Sequence, residues 1–571
     1  MNSSAQTSDF SGRRNFLLGF FALLGLVLLV RAFWLQGLHQ AFYAEQGDVR
    51  QIRTLPIAAH RGTMLDRNRE PLAVSSPIQS IWSDPRILLQ HEDRFELLGY
   101  ILQIDPGRLR QRVQNAADNG KGFVYLRRHV PPRIAAALQK ARERQQIKGV
   151  NVQREYGRYY PSGEITAHVL GFTDIDGNGQ EGLEMTFNDW LDSSAGSRRV
   201  VTDLLGEAIE DIELISEPDQ GGDLVLSIDK RIQYLAFREL QQAVIQNGAV
   251  SGSVVVLDAR SGEVLAMVNH PSYNPNQFSQ RGDAAAMRNR AVTDVLEPGS
   301  TIKPFTIAAA LELGLLQADD VIDTSPGRFN VGKYVVRDFS DYGTLSLADI
   351  LKKSSNIGAS KIALQMDRTQ LWNVFDRLGF GRPNVMEFPG AVSGSMPHAS
   401  SWSVVRQATV SYGYGISTTV LHLAQAYAAI ASDGLMPEIS FQRLDGEPVT
   451  RRVFSAPVAR QVRDMMQSVV ASGTGKKAAI PGYTVAGKTG TTHISQGGSY
   501  ADDRYISQFA GMAPATDPDM IAIVVINEPR GRYFGGEVAA PVFAKIVAGA
   551  LRIRNINPDV HRVTDSAGDE G

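Results

Sequence analysis

The sequence predicts an α+β protein of several domains behind a single N-terminal membrane-spanning helix. Three observations carry that expectation. An apolar run fills residues 16–38. A β-hairpin pattern at 251–268 is answered by three strand patterns near the C-terminus, which implies an antiparallel sheet around a large helical insertion. With 571 residues and 43% hydrophobic content, the chain can bury the cores of roughly two to four domains.

The apolar run follows Arg13-Arg14 and stays uncharged from Phe16 to Val30, where Arg31 interrupts it. A cleaved signal peptide needs small residues just beyond the run, but Arg31, Phe33 and Trp34 stand there. A twin-arginine export signal finds no cofactor site later in the chain to justify it. If Arg31 snorkels, the segment reaches about 20 residues, enough for a bilayer core of about 30 Å. Paired arginines before it place the N-terminus in the cytoplasm by the positive-inside rule and the rest outside it, in the periplasm of a two-membrane cell. The expected layout is a cytoplasmic tail at 1–15, an anchor at 16–38, an irregular α+β domain at 39–220, a second domain at 221–552 and a flexible tail at 553–571 ending in "DSAGDEG".

Composition removes several function classes. A balance of 58 Lys plus Arg against 60 Asp plus Glu, net −2, argues against nucleic acid as the main partner. The absence of cysteine excludes disulfides, thiolate metal sites and a cysteine nucleophile. "DIDGNGQEG" at 174–182 approaches the spacing of a calcium loop, but its closing glutamate is out of register and a plain turn is expected. No metal or organic cofactor is expected.

In the first domain, turn signals such as "DRNREP" at 66–71 and "YPSGE" at 160–164 separate short apolar segments. In the second, "GGDLVLSIDKRIQYLAFRELQQAV" reads as a short strand and a periodic helix from Lys230 to about Val244. "SGSVVVLDARSGEVLAMV" reads as a hairpin turning at Arg260-Ser261-Gly262. Helical patterns dominate from about 285 to 475. "YTVAGKTGT", "YISQFAGMAP" and "MIAIVVINEP" then read as strands, with a helix at 541–552.

"EPGSTIKP" at 297–304 puts Ser300 and Lys303 on one face of the first turn of an apolar helix. Ser-x-x-Lys alone is a common accident. A serine nucleophile needs a base, and none of the 10 histidines sits in a nucleophile-elbow context. Lysine can serve if its pKa falls from about 10.4 to near 7, roughly 4 to 5 kcal/mol of differential interaction, which burial and a second cation can supply. Two later stretches fit that need. Ser354-Ser355-Asn356 opens another apolar helix, where Ser354 also reads as a helix cap. Lys488-Thr489-Gly490-Thr491 ends a predicted strand, where glycine admits a close backbone.

This ordered trio resembles the active-site motifs of penicillin-binding proteins and serine β-lactamases. "RGTMLDRNREPLA" (61–73) and "GRYYPSGEITAHVLGF" (157–172) resemble the N-terminal pedestal, or dimerisation-type domain, of class B, monofunctional penicillin-binding proteins. "RNRAVTDVLEPGSTIKPF", "SYGYGISTTVLHLAQAYAAIASDG" and "YFGGEVAAPVF" resemble their cell-division, FtsI-type branch. The resemblance implies a penicillin-binding, serine β-lactamase-like transpeptidase domain that cross-links peptidoglycan stem peptides during septal wall synthesis and is blocked by β-lactams. It further implies roles: Ser300 as nucleophile, Lys303 as base, Ser354 as proton relay, Asn356 as orienter of Lys303 and substrate, and Lys488 as the field that keeps Lys303 neutral. Thr489, Gly490 and Thr491 would meet the substrate, Thr489 and Thr491 through its carboxylate, and the N–H groups of Ser300 and Thr491 would form the oxyanion hole. Implied partners are membrane lipid around 16–38, a polytopic glycan polymerase that Arg31 would face, and other division proteins at the inner membrane.

Neighbouring readings share the trio. A secreted β-lactamase or D,D-carboxypeptidase would need neither anchor nor pedestal. A bifunctional enzyme would carry a glycosyltransferase motif, which "EDRFELLG" (92–99) does not match. An elongation-type or other paralogous transpeptidase, and a β-lactam sensor, stay open at this point.

Overall fold

The computed structural model describes residues 11–40, 42, 52–57, 59–144, 147, 149–202, 208–277, 281–383, 388–496 and 499–560. The expected tail "DSAGDEG" and residues 1–10 lie outside the described residues. The chain divides into two compact units, one of residues up to 60 with 193–220, the other of 61–192 with 221 onward.

In the first unit the helix Ser11–Phe33 runs on as a π-helical turn, Trp34–Leu38. Together they form one apolar stretch long enough to cross a membrane. The Arg31 guanidinium lies 4.5 Å from the centre of the Trp34 ring, which lets it leave the apolar stretch along an aromatic surface. The same unit holds an antiparallel sheet in which Gly196–Thr202 lies between Ile52–Ile57 and Ala208–Ser216.

The second unit is built on a five-stranded antiparallel sheet in the order Val264–His270, Ser251–Asp258, Met520–Asn527, Ser499–Ala513, Ala486–Gln496. The predicted hairpin is its first pair, turning at Gly262 with φ +75°. Side-chain alternation divides the sheet between two cores. Val254, Val256, Val524 and Phe509 face the helices Lys230–Gln246 and Ala540–Ile553. Val255, Leu257, Ile523 and Ala510 face the helical insertion. Every residue of Val420–Ala431 in that insertion is buried, so this helix fills the space between sheet and outer helices.

The pedestal segment of this unit wraps Val150–Tyr159 and Val124–Val130 around the long strand Pro71–Ser83. Helices Phe95–Leu102, Pro106–Asp118 and Pro132–Glu143 cover it. Buried Glu184 accepts from Arg61 at 2.8 Å and Arg158 at 2.6 Å, so "RGTMLDRNREPLA" and "GRYYPSGEITAHVLGF" meet at one carboxylate. Asp66 accepts from the Lys230 N–H at 3.1 Å and ties the pedestal segment to the start of the helix Lys230–Gln246. "DIDGNGQEG" is the expected turn: Asp174 Oδ1 accepts the N–H groups of Asp176 and Asn178, both at 2.9 Å.

Candidate active site

Ser300 sits in the 3₁₀ turn Gly299–Ile302, and Lys303 opens the α-helix Lys303–Glu312 behind it. The sequence placed both in the helix's first turn; the structure gives the serine its own tighter turn. The Pro298-Gly299 break has a steric cause. Gly299 has φ +53°, and a Cβ there would lie 2.4 Å from Thr492 Cγ2. A Cβ on Gly413 would lie 2.2 Å from Gly299 O, so glycines on both sides let the chain close behind the nucleophile. Ser300 is half-buried, and its hydroxyl makes no hydrogen bond among the described residues.

Lys303 is fully buried, and its ammonium stem ends at three oxygens. Nζ donates to Ser354 O, to Asn356 Oδ1 at 2.8 Å and toward Ser354 Oγ at 3.2 Å. Lys488, also fully buried, donates to Ser354 Oγ at 2.9 Å and Thr489 O at 3.0 Å. The three motifs therefore meet on one hydroxyl, with a lysine on either side. Burial holds the Lys303 amine down at about 7, while the Asp338 carboxylate pulls the other way. Lys488 is pushed well below the ordinary lysine range, first by burial and then by Lys303. Burial is thus what lowers Lys303, and the repulsion between the two amines tells at Lys488.

Ser354 reaches this place by an uncommon backbone conformation. It ends the helix Leu347–Lys353 with φ 58° and ψ 41°, a left-handed position that costs a non-glycine residue of order 1 kcal/mol. The cap of the next helix, Asn356–Ala363, is Ser355, whose hydroxyl accepts from Gly358 N at 2.9 Å. Ser354 is therefore released from capping. That helix start is fixed by Asp338, a residue without a sequence motif. Its carboxylate accepts from Asn356 N at 2.6 Å, Ile357 N at 3.1 Å and the Ser355 hydroxyl. Asp338→Ala is expected to cost about 2 kcal/mol of stability by orphaning these donors. It should also slow penicillin acylation about tenfold by loosening Asn356, as thermal unfolding and stopped-flow labelling would measure. Unchanged values in both would remove Asp338 from the account.

Lys488 to Thr491 lie in the edge strand Ala486–Gln496, near its beginning and not, as expected, at its end. The strand's free edge meets the serine turn: a Cβ on Gly490 would lie 2.9 Å from Thr301 Cγ2. Thr489 Oγ1 is 2.8 Å from Thr474 Oγ1, a second residue that sequence reasoning missed, on the glycine-rich "SGTG". Thr491 Oγ1 accepts from Gly535 N at 3.0 Å. Among the described residues, no group of three or more metal-binding side chains occurs.

Residues 252–548 match the penicillin binding protein transpeptidase domain, and residues 56–226 the penicillin-binding protein dimerisation domain. The chain is 42% identical over 560 residues to the peptidoglycan D,D-transpeptidase FtsI of Escherichia coli K12, covering 95% of this chain and 93% of that protein. The transpeptidase domain of penicillin-binding protein 3 from Burkholderia pseudomallei, in its apo structure, is 40% identical, with a TM-score of 0.55 over 59% of this chain and 98% of that one. A peptidoglycan synthetase from Bifidobacterium adolescentis, 24% identical, shares the fold with a TM-score of 0.70 over 90% of this chain and 98% of that one. With both domain matches and this extent of identity, the chain belongs to the class B penicillin-binding proteins.

Proposed function

We propose that the protein is a peptidoglycan D,D-transpeptidase acting through an acyl-enzyme on Ser300. The observation that carries the reading is the Lys303–Ser354–Lys488 chain of hydrogen bonds beside the Ser300 turn. A neutral Lys303 has two N–H groups, matching its two acceptor-only partners, Ser354 O and Asn356 Oδ1. Its lone pair is then available to take the Ser300 proton. Ser300 Oγ bonds to the carbonyl carbon of the penultimate D-alanine, and the N–H groups of Ser300 and Thr491 receive the oxyanion. The proton passes through Ser354 to the departing amine, and terminal D-alanine leaves with its nitrogen protonated. An amine of a second stem peptide then attacks the ester and returns the proton along the same path. The new amide is the cross-link. Thr489 and Thr491 hold the terminal carboxylate. A β-lactam presents the same amide in a ring, so its leaving group stays tethered and the ester persists.

The similarity to a protein named FtsI supports a septal role for this chain. A fluorescent fusion is expected to gather at midcell, and inhibition of a sole septal copy to give filaments. Sidewall labelling with rounded cells would place the enzyme in elongation instead. The N-terminal helix anchors the chain in the inner membrane with its catalytic domain in the periplasm, and Arg31 faces a helix of a polytopic glycan polymerase. Arg31→Leu is expected to reduce co-purification of that partner severalfold while penicillin labelling persists; equal recovery would leave Arg31 as a plain anchor residue.

A further inference from the structure

The two N–H groups proposed to receive the oxyanion belong to separate elements, Ser300 to the turn Gly299–Ile302 and Thr491 to the strand Ala486–Gln496. Such donors work only at about 2.7–3.1 Å from the developing charge, so the gap between turn and strand must be held. The turn's own ties lead elsewhere. Gly299 N donates to Gly413 O at 3.2 Å, and the Tyr427 hydroxyl donates to Thr301 O at 2.7 Å. Among the described residues, no hydrogen bond runs directly from residues 297–303 to that strand.

One buried amide bridges them. Gln508 lies on the neighbouring strand Ser499–Ala513, opposite Gly490, and is fully enclosed. Its Nε2 donates to Glu297 O at 3.0 Å and toward Thr492 Oγ1 at 3.3 Å. The first acceptor lies three residues before Ser300, and the second belongs to the residue after Thr491. Gly490 leaves the side chain its passage: a Cβ there would lie 3.2 Å from Gln508 Cβ and 3.4 Å from Pro298 O. Glu297 O can only accept, which fixes the amide with its nitrogen toward the turn. Gln508 Oε1 is then enclosed without a partner among the described residues. An orphaned acceptor weakens a fold, so this amide is poor packing and is explained by what its two N–H groups hold.

We infer that Gln508 is a positioning residue that sets the gap between the Ser300 turn and the Thr491 strand, and with it the width of the oxyanion hole. The inference rests on the transpeptidase reading and deepens it. Enclosed as it is, the amide meets no substrate, and no bond forms or breaks there. Its effect passes through the two backbone donors and is felt as charge develops on the carbonyl oxygen, more in the transition state than in the bound ground state.

The test uses the full-length protein in detergent and Gln508→Met, which keeps the length of the side chain and removes its donors. Penicillin acylation is expected to slow about tenfold. Non-covalent penicillin binding, measured in partner proteins that also carry Ser300→Ala, should change by less than about twofold. The specific readout is a donor ester ending in D-Ala-D-lactate beside its thionoester, whose larger sulfur accepts hydrogen bonds weakly. Wild type should prefer the oxygen compound, and in Gln508→Met that preference should shrink by about the factor that acylation slows. The melting temperature should stay near wild type, because methionine abolishes one orphan, Oε1, while freeing another, Glu297 O. Gln508→Leu is expected to shift the oxygen-to-sulfur ratio equally, and it carries the test if the methionine variant melts early. Acylation equal to wild type, or slower acylation with an unchanged ratio, would overturn the inference and leave the transpeptidase reading standing. Wild-type protein that forms no Ser300 adduct with penicillin would overturn both.

Discussion

A Ser300→Ala protein is expected to take up no covalent penicillin, a loss of about 10⁶-fold if it behaves as other enzymes stripped of a nucleophile. The site offers no substitute. The hydroxyl of the second motif, Ser354 Oγ, is held between two lysine amines and sits on a left-handed backbone that fixes its direction. Because the Ser300 hydroxyl makes no hydrogen bond among the described residues, its removal should leave the melting temperature near wild type. Labelled Ser300→Ala protein, seen by in-gel fluorescence of a tagged penicillin, would move the nucleophile elsewhere.

Replacing Lys303 is expected to have the next largest effect. Lys303→Ala would open a cavity in the buried helix start, so Lys303→Met is the cleaner probe: it keeps most of the stem and removes only the amine. Acylation should fall about 10² to 10⁴-fold, the range of a lost general base. The pH dependence carries the sign. Only the neutral amine can accept the Ser300 proton, and the folded protein holds Lys303 at about 7. Wild-type acylation should therefore be slow in acid, falling about tenfold per pH unit well below 7, and reach a plateau above it. In Lys303→Met this limb should vanish. A wild-type limb retained by the variant would assign the titration, and the base, to another group.

The sheet of the second unit was readable because its strands are long and β-branched. Ser251–Asp258 and Met520–Asn527 are almost entirely buried, and their runs of valine and isoleucine have few other uses. The trio was readable because each motif sits beside a break or an apolar helix. Other features had no such signal. The strands Val321–Asp323, Arg328–Val331 and Tyr334–Arg337 are three or four residues long, too short to show an alternating pattern inside a helical stretch. Asp338 and Thr474 act through contacts 18 and 15 residues away, with no periodicity to mark them. Ser354 and Ser355 look interchangeable in sequence. Only the left-handed turn decides which caps a helix and which lies between the lysines. Likewise, Gly196–Thr202 pairs with Ile52–Ile57 across most of the pedestal sequence, so residues 39–220 contribute to two units.

The most direct test of the central claim is mass spectrometry of wild-type protein incubated with a D-Ala-D-Ala pentapeptide and an amine acceptor. The account predicts an acyl adduct on the peptide containing Ser300. It also predicts a product whose mass is that of donor plus acceptor less one alanine, neither of which forms with Ser300→Ala. Donor shortened by alanine with no acceptor-linked product, or an adduct mapping to any other residue, would contradict it.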